Sequence, residues 1–194
     1  MSDKHLTEHR YEKLTWPEIN DAVATGQICI VPCGAVEQHG PHLPLDVDML
    51  LSTSVALGAG EQRASKALVL PSVSYGYTGH VMDFPGTINV HYQHFIEQVL
   101  DITKSLAYHG FKKIMLLNGH GSNMPNLDLV ARRCNLETDA ECGLCAWWNL
   151  LQVDPDFLPN WRESKFPGGI AHACELETVS YTHLRAHETL RYLQ

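Results

Sequence analysis

The densest chemistry in the chain lies in one stretch, Glu37-Gln38-His39-Gly40-Pro41-His42-Leu43-Pro44-Leu45-Asp46-Val47-Asp48, which packs two His and three carboxylates into twelve residues. Crowded carboxylates repel one another and resist leaving water. A divalent cation removes the conflict, because it takes carboxylate oxygens and neutral imidazole nitrogens as ligands. Glu37 and His39 are two apart, so in extended backbone they point the same way. Gly40, Pro41 and Pro44 then turn the chain and stiffen it. Asp46 and Asp48 return on the far side of the turn. The stretch can therefore offer a Glu, a His and an Asp to one point. The same composition also fits a polar surface turn.

Such a stretch must be held by something rigid. The run Ile28-Cys29-Ile30-Val31-Pro32-Cys33-Gly34 precedes it and reads as a strand, taken from Gln27 to Cys33, covered on both faces. Before it, Thr15-Trp16-Pro17-Glu18 reads as a capping box opening a helix that Gly26 stops. After it, Asp48 to Glu61 reads as a helix and Ala67 to Leu70 as a second strand. Phe95, Val99, Ile102 and Leu106 recur on one face of a helix set at Asn89 to His109. Lys112 to Asn118 is the third strand, Asn123 to Asn135 the next helix, and Gly143 to Trp148 the fourth strand. His120 thus sits where a strand gives way to a helix. Residues 72–90 and 149–169 lack periodicity. Loops that long in a compact domain are usually functional. His80 and Asp83 in the first are candidates to face a substrate. Trp147, Trp148 and Trp161 are candidates to wall a pocket, with His80 and Trp148 preferred as substrate contacts. Core packing is the commoner use of Trp. Strands alternating with helices predict an α/β fold, with a mostly parallel sheet and helices on both faces. In such sheets sites form at the carboxyl ends of the strands.

Composition narrows the class. The chain has 194 residues, 44% hydrophobic and 19% charged, with formal net charge −8. That suits one globular domain and argues against nucleic acid and anionic membranes as partners. No apolar run approaches a membrane span, and the N-terminus lacks an apolar secretory core. Six scattered Cys fit free thiols in a reducing cytoplasm. Cys142-Gly143-Leu144-Cys145 is a lone Cys-x-x-Cys, better read as part of a strand than as a zinc or redox motif.

Four stretches in order resemble the creatininase family of metal-dependent amidohydrolases. Glu37 to Asp48 matches its Glu-x-His-Gly-x-His-Leu-Pro-Leu-x-x-Asp signature at every marked position. Phe84-Pro85-Gly86-Thr87 resembles its Phe-Pro-Gly-Thr loop. Asn118-Gly119-His120-Gly121-Ser122-Asn123 resembles its Asn-Gly-His-Gly-Gly-Asn motif, with Ser122 in place of Gly. His172-Ala173-Cys174-Glu175-Leu176-Glu177-Thr178 resembles its His-Ala-Gly-Glu-x-Glu-Thr segment, with Cys174 in place of Gly.

The resemblance implies a three-layer α/β sandwich, two divalent metal ions (Zn, Mn or Fe), a small-molecule amide substrate and a homo-oligomer, a hexamer in many members. By position, Glu37 and His120 would bind one ion and His39 the other, with Asp48 between them. The creatinine-hydrolysing member has a ligand Glu where this chain has Ser122. Glu175 is expected to supply the missing carboxylate; Glu177 is the competing candidate, read first as structural. A metal-bridging hydroxide would attack the carbonyl of an amide, lactam or formamide, and the C–N bond would then break. His172 matches the catalytic His and would protonate the leaving nitrogen. A His that caps or packs at a helix start is the plainer alternative. His42 is expected to orient a ligand. Family substrates include creatinine, formamidopyrimidine intermediates and a peptide-derived redox cofactor precursor. The alternative function is a catalytically inactive metal-binding remnant of the same family.

The two ends are expected to differ from the body. Residues 1–14 read as frayed, and 15–178 as the family domain, incomplete at its C-terminus. Residues 179–194 resemble a translated sequencing-adapter string and are expected to pack poorly and to carry no site residue.

Overall fold

In the computed structural model, residues 3–165 and 170–191 are described, with side chains as far as residue 186. Pro167, Gly168 and Gly169, read as part of an irregular stretch, lie outside them. Four strands form one parallel sheet: β1 (Ile28–Cys33), β2 (Ala67–Val69), β3 (Lys113–Asn118) and β4 (Glu141–Ala146), in the order β2-β1-β3-β4. The helices are α1 (Trp16–Ala24), α2 (Val47–Gln62), α3 (Tyr92–Tyr108), α4 (Met124–Glu137), α5 (Phe157–Trp161) and α6 (Glu175–Arg191).

Strand residues alternate between two cores, as the two-residue period requires. Cys29, Val31 and Cys33 of β1 join Ile114 and Leu116 of β3 in one cluster. Ala22 of α1, Phe95 and Val99 of α3, and Leu127 and Val130 of α4 close over it. Leu117 and Val69 lie in the second cluster with Val47, Leu51 and Ala56 of α2 and Leu176 and Tyr181 of α6. The sheet is thus sandwiched between helices, as expected for the three-layer α/β class. Phe95 is fully buried, so truncating it to Ala should cost ~3–5 kcal/mol.

The start of α1 follows its sequence signal: the Thr15 N–H donates to the Glu18 carboxylate at 2.8 Å, and Gly26 takes φ +70° just beyond the helix. Residues 3–14, expected to be frayed, are instead tied to the body of the fold. The Val69 N–H donates to the His9 carbonyl at 2.7 Å, Gln27 Nε2 donates to the His5 carbonyl at 2.7 Å, and His5 is buried.

The C-terminal stretch also departs from expectation. α6 runs through residues 179–191 without a break. Tyr181 is buried in the second core, with Leu184 packed against it. The Tyr181 hydroxyl donates to Asp46 Oδ1 at 2.9 Å, and Arg185 Nη2 to Asp46 Oδ2 at 2.6 Å. Residues 179–186 therefore pack.

One feature of the topology locates the site. From β1 the chain passes to β2 on one side and then returns to β3 on the other. Where strand order reverses, the connections leave in opposite directions and open a crevice at the carboxyl ends. That crevice lies past Cys33 and Asn118, which are register partners.

Candidate metal centre

Two glycines let the ligands converge. A Cβ on Gly34 would stand 2.6 Å from the Met49 Cα, and one on Gly119 would stand 2.1 Å from the Asp48 carbonyl oxygen. Only bare backbone at these strand ends lets the first turn of α2 lie across β1 and β3. That turn carries Asp48. The loop after β1 is pinned as a narrow excursion: Glu37 N–H donates to Leu45 O at 3.2 Å, Ile88 N–H donates to Val36 O at 3.0 Å, and His39 bridges to Leu43. Gly40 turns it with φ +67°.

Glu37, His39, Asp48 and His120 are each at most 3% exposed, and they form overlapping groups. Glu37, Asp48 and His120 offer ligand atoms within 4.8 Å of one another, and so do His39, Asp48 and Glu177. Asp48 belongs to both. A third group joins Glu37 and His39 to His172. The imidazoles are oriented by backbone. His39 Nδ1 lies 3.2 Å from the Glu37 carbonyl and His120 Nε2 3.1 Å from the Tyr77 carbonyl. A ring N–H donated to each carbonyl leaves the other nitrogen facing the carboxylates. His39 Nε2 is 3.1 Å from Asp48 Oδ1, and His120 Nδ1 is 3.0 Å from Asp48 Oδ2. These approaches lack hydrogen-bond alignment. Among the described residues, Glu37 Oε2, His39 Nε2 and Asp48 Oδ2 are buried without a hydrogen-bond partner. Buried polar atoms are rarely left so. Orphaned carboxylate and imidazole atoms facing a common point fit divalent cations.

Protonation agrees with that fit. Burial pulls the His39 imidazole down, but Asp48 and Glu177 outweigh it and hold it up at about 10. His120 reaches about 10 in the same way, against burial and through Asp48 and Glu37. Burial raises the Glu37 carboxyl, but His120 and His172 overcome this and bring it to about 2. Without an ion, two protons take the place of positive charge in the cluster.

Glu175 is a correction to the expected ligand set. Its carboxylate accepts the N–H groups of Glu163 and Ser164, both at 2.8 Å, and it belongs to none of the three groups. Glu177 stands at the cluster instead, 8% exposed, with Oε1 3.8 Å from His39 Nε2. The Cys174 N–H donates to its other oxygen at 3.2 Å. The chain enters α6 through Ala173, which takes a left-handed φ of +51°. That turn sends His172 and Glu177 to the cluster and Glu175 away from it.

His172 is 41% exposed at the side chain, with Nδ1 3.2 Å from Glu37 Oε1. Gly40 N–H donates to Gln38 Oε1 at 2.8 Å, which aims Gln38 Nε2 at His172 Nε2, also at 2.8 Å. Gln38 thus orients the imidazole, a role the sequence reading did not give it. His42 does not touch a ligand; its Nε2 meets Thr178 Oγ1 at 3.1 Å, joining the loop to α6. Asn118 and Asn123 brace the second motif. Asn118 Nδ2 donates to the His120 carbonyl at 2.6 Å and Asn123 Nδ2 to the Gly34 carbonyl at 3.0 Å. A cavity of about 300 Å³ opens on the cluster, lined in part by His80, Ser122, Trp147, Trp148, His172 and Cys174. Asp83 and Trp161 do not line it.

The family profile described as creatinine amidohydrolase matches residues 12–190. The chain belongs to the creatininase family. Among relatives, it is 33% identical over 179 residues to the creatinine amidohydrolase of Pseudomonas putida, covering 86% of this chain and 68% of that protein. Among solved structures it is similar to a variant creatininase of zinc–zinc type, with TM-score 0.72 and 30% identity. It is equally similar to a manganese creatininase, with TM-score 0.73 and 30% identity. Each of these alignments covers 86% of this chain and 68% of the other. The chain thus spans about two thirds of the length of these relatives. The creatininase match extends to residue 190, well into α6. No helix among the described residues is long and apolar enough to cross a membrane.

Proposed function

We propose that the chain carries a two-metal amidohydrolase site that cleaves a non-peptide C–N bond of a small molecule. In this reading Glu37, Asp48 and His120 would hold one divalent ion, and His39, Asp48 and Glu177 would hold the other. The observation that carries it is the pair of buried groups sharing Asp48, with three of their atoms orphaned. The donor set is oxygen and imidazole nitrogen without thiolate, which suits zinc, manganese or iron. When bound, such ions polarise a carbonyl and acidify water.

The remaining steps fall to the chain. The amide nitrogen leaves well only with a proton, and His172 is the one cavity imidazole that is both exposed and tied to Glu37. His172 therefore delivers that proton from Nδ1, with Gln38 Nε2 donating to its Nε2 and orienting the ring. Trp147, Trp148 and Leu176 line the cavity with apolar surface, which limits competing water. Six free cysteines accord with a cytoplasmic setting. A homo-oligomer, up to a hexamer, belongs to the same proposal; exposed Tyr75, Met82, Phe84, Ile88 and Tyr92 give it apolar surface.

The test is turnover of zinc- and manganese-loaded protein on a panel of small amides, lactams and formamides, beside His172→Ala. Wild type should turn over at least one. His172→Ala should keep its metal and lose about 10²–10⁴-fold in kcat. Full metal content with no turnover across the panel would favour a metal-binding protein without catalysis.

A further inference from the structure

The cavity has two kinds of wall. Its three acids, Glu37, Asp48 and Glu177, all belong to the metal groups, and among the described residues the rest of its lining holds no Lys, Arg, Asp or Glu. A substrate group facing away from the metals therefore meets no fixed charge. It meets hydrogen-bonding groups that lean toward donation. Trp148 lines the cavity, and an indole N–H only donates.

The same lining includes His80 and Ser122. Ser122 Oγ lies 3.4 Å from His80 Nδ1. The His80 ring stacks on His120, with centroids 6.0 Å apart and planes at 21°. Ser122 is set by the tight turn Gly121–Asn123 that leads into α4. At 3.4 Å the Ser122–His80 contact is loose, so redirecting either group toward a ligand forfeits little. In either tautomer of His80 the pair has one N–H or O–H left to donate.

We propose that His80 and Ser122 form the substrate-anchoring wall of the cavity. They select small amides whose far side carries a hydrogen-bond acceptor, a carbonyl or carboxylate, over amides whose far side carries a cation. This rests on the metal reading above, which fixes where the scissile bond sits.

The experiment titrates zinc-loaded protein with three matched amides: N-acetylglycine, N-ethylacetamide and N-(2-aminoethyl)acetamide. They share one N-methylene acetamide, which carries a distal carboxylate, methyl or protonated aminomethyl group. Zinc content is measured on the same samples. Wild type should bind the carboxylate probe about tenfold tighter than the methyl probe, and the ammonium probe weakest. Ser122→Ala and His80→Phe should each remove most of that preference while zinc content and melting temperature hold, Phe keeping the stack on His120. A wild type that takes up no zinc defeats the metal reading. Zinc-loaded wild type that shows no preference or binds none of the probes, or a Ser122→Ala variant that keeps the preference, overturns the wall assignment alone.

Discussion

At the scale of single residues, the assignment turns on which of two glutamates in one helical turn meets the metals. Glu177 and Glu175 are two apart in α6, so they point to different sides. Glu177 faces His39, and Glu175 holds the N–H groups of Glu163 and Ser164. Glu177→Gln should lose one of two ions per chain by elemental analysis. Glu175→Gln should keep both. The reverse pattern would return the ligand to Glu175. The sequence could not separate them, because the choice depends on where α6 begins and how the chain enters it. The left-handed turn at Ala173 decides that, and an Ala carries no signal for positive φ. The convergence of Glu37, His39, Asp48 and His120 was legible because residue type and spacing sit within two short stretches. Gln38 was not, because its contact with His172 spans 134 positions.

At the scale of elements, the site depends on how closely α2 can lie on the strand ends. Gly119→Ala would set a Cβ against the Asp48 carbonyl, backbone against backbone, where no side chain can yield. It should destabilise the protein by ~1–3 kcal/mol and weaken both ions together, because Asp48 serves both. Chemical denaturation with a metal titration checks this; unchanged metal affinity would show that α2 does not set the site. Strands and helices were legible from apolar runs and period, with ends shifted by a few residues. Residues 3–14 and 179–186 were misread for a physical reason. The N-terminal segment gains its order from contacts with Gln27 and Val69, far along the chain. Residues 179–186 look polar as a string, yet Tyr181 and Leu184, three apart, give α6 a narrow apolar edge that α2 covers.

At the scale of the whole molecule, the cluster links metal, protons and stability. His39 and His120 are raised from 6.5 to about 10. Their contribution to the metal-free fold is therefore complete below pH 6.5 and fades as pH climbs toward 10. Glu37 is lowered from 4.5 to about 2, so its contribution is complete above pH 4.5 and fades as pH falls toward 2. As far as this cluster decides, the metal-free protein is most stable between those limits. Metal needs neutral imidazoles, so loading at roughly pH 7.5 should release about two protons per chain, and affinity should climb with pH. Calorimetry in buffers of different ionisation enthalpy reads the release; none would mean the imidazoles are not ligands.

The central claim is that two ions share Asp48. Metal stoichiometry of the wild type beside Asp48→Asn tests it most directly, after loading with zinc and removal of excess. The wild type should hold two ions per chain, and Asp48→Asn should lose both. One ion per chain in the wild type, or an Asp48→Asn variant that keeps either ion at full affinity, would contradict it.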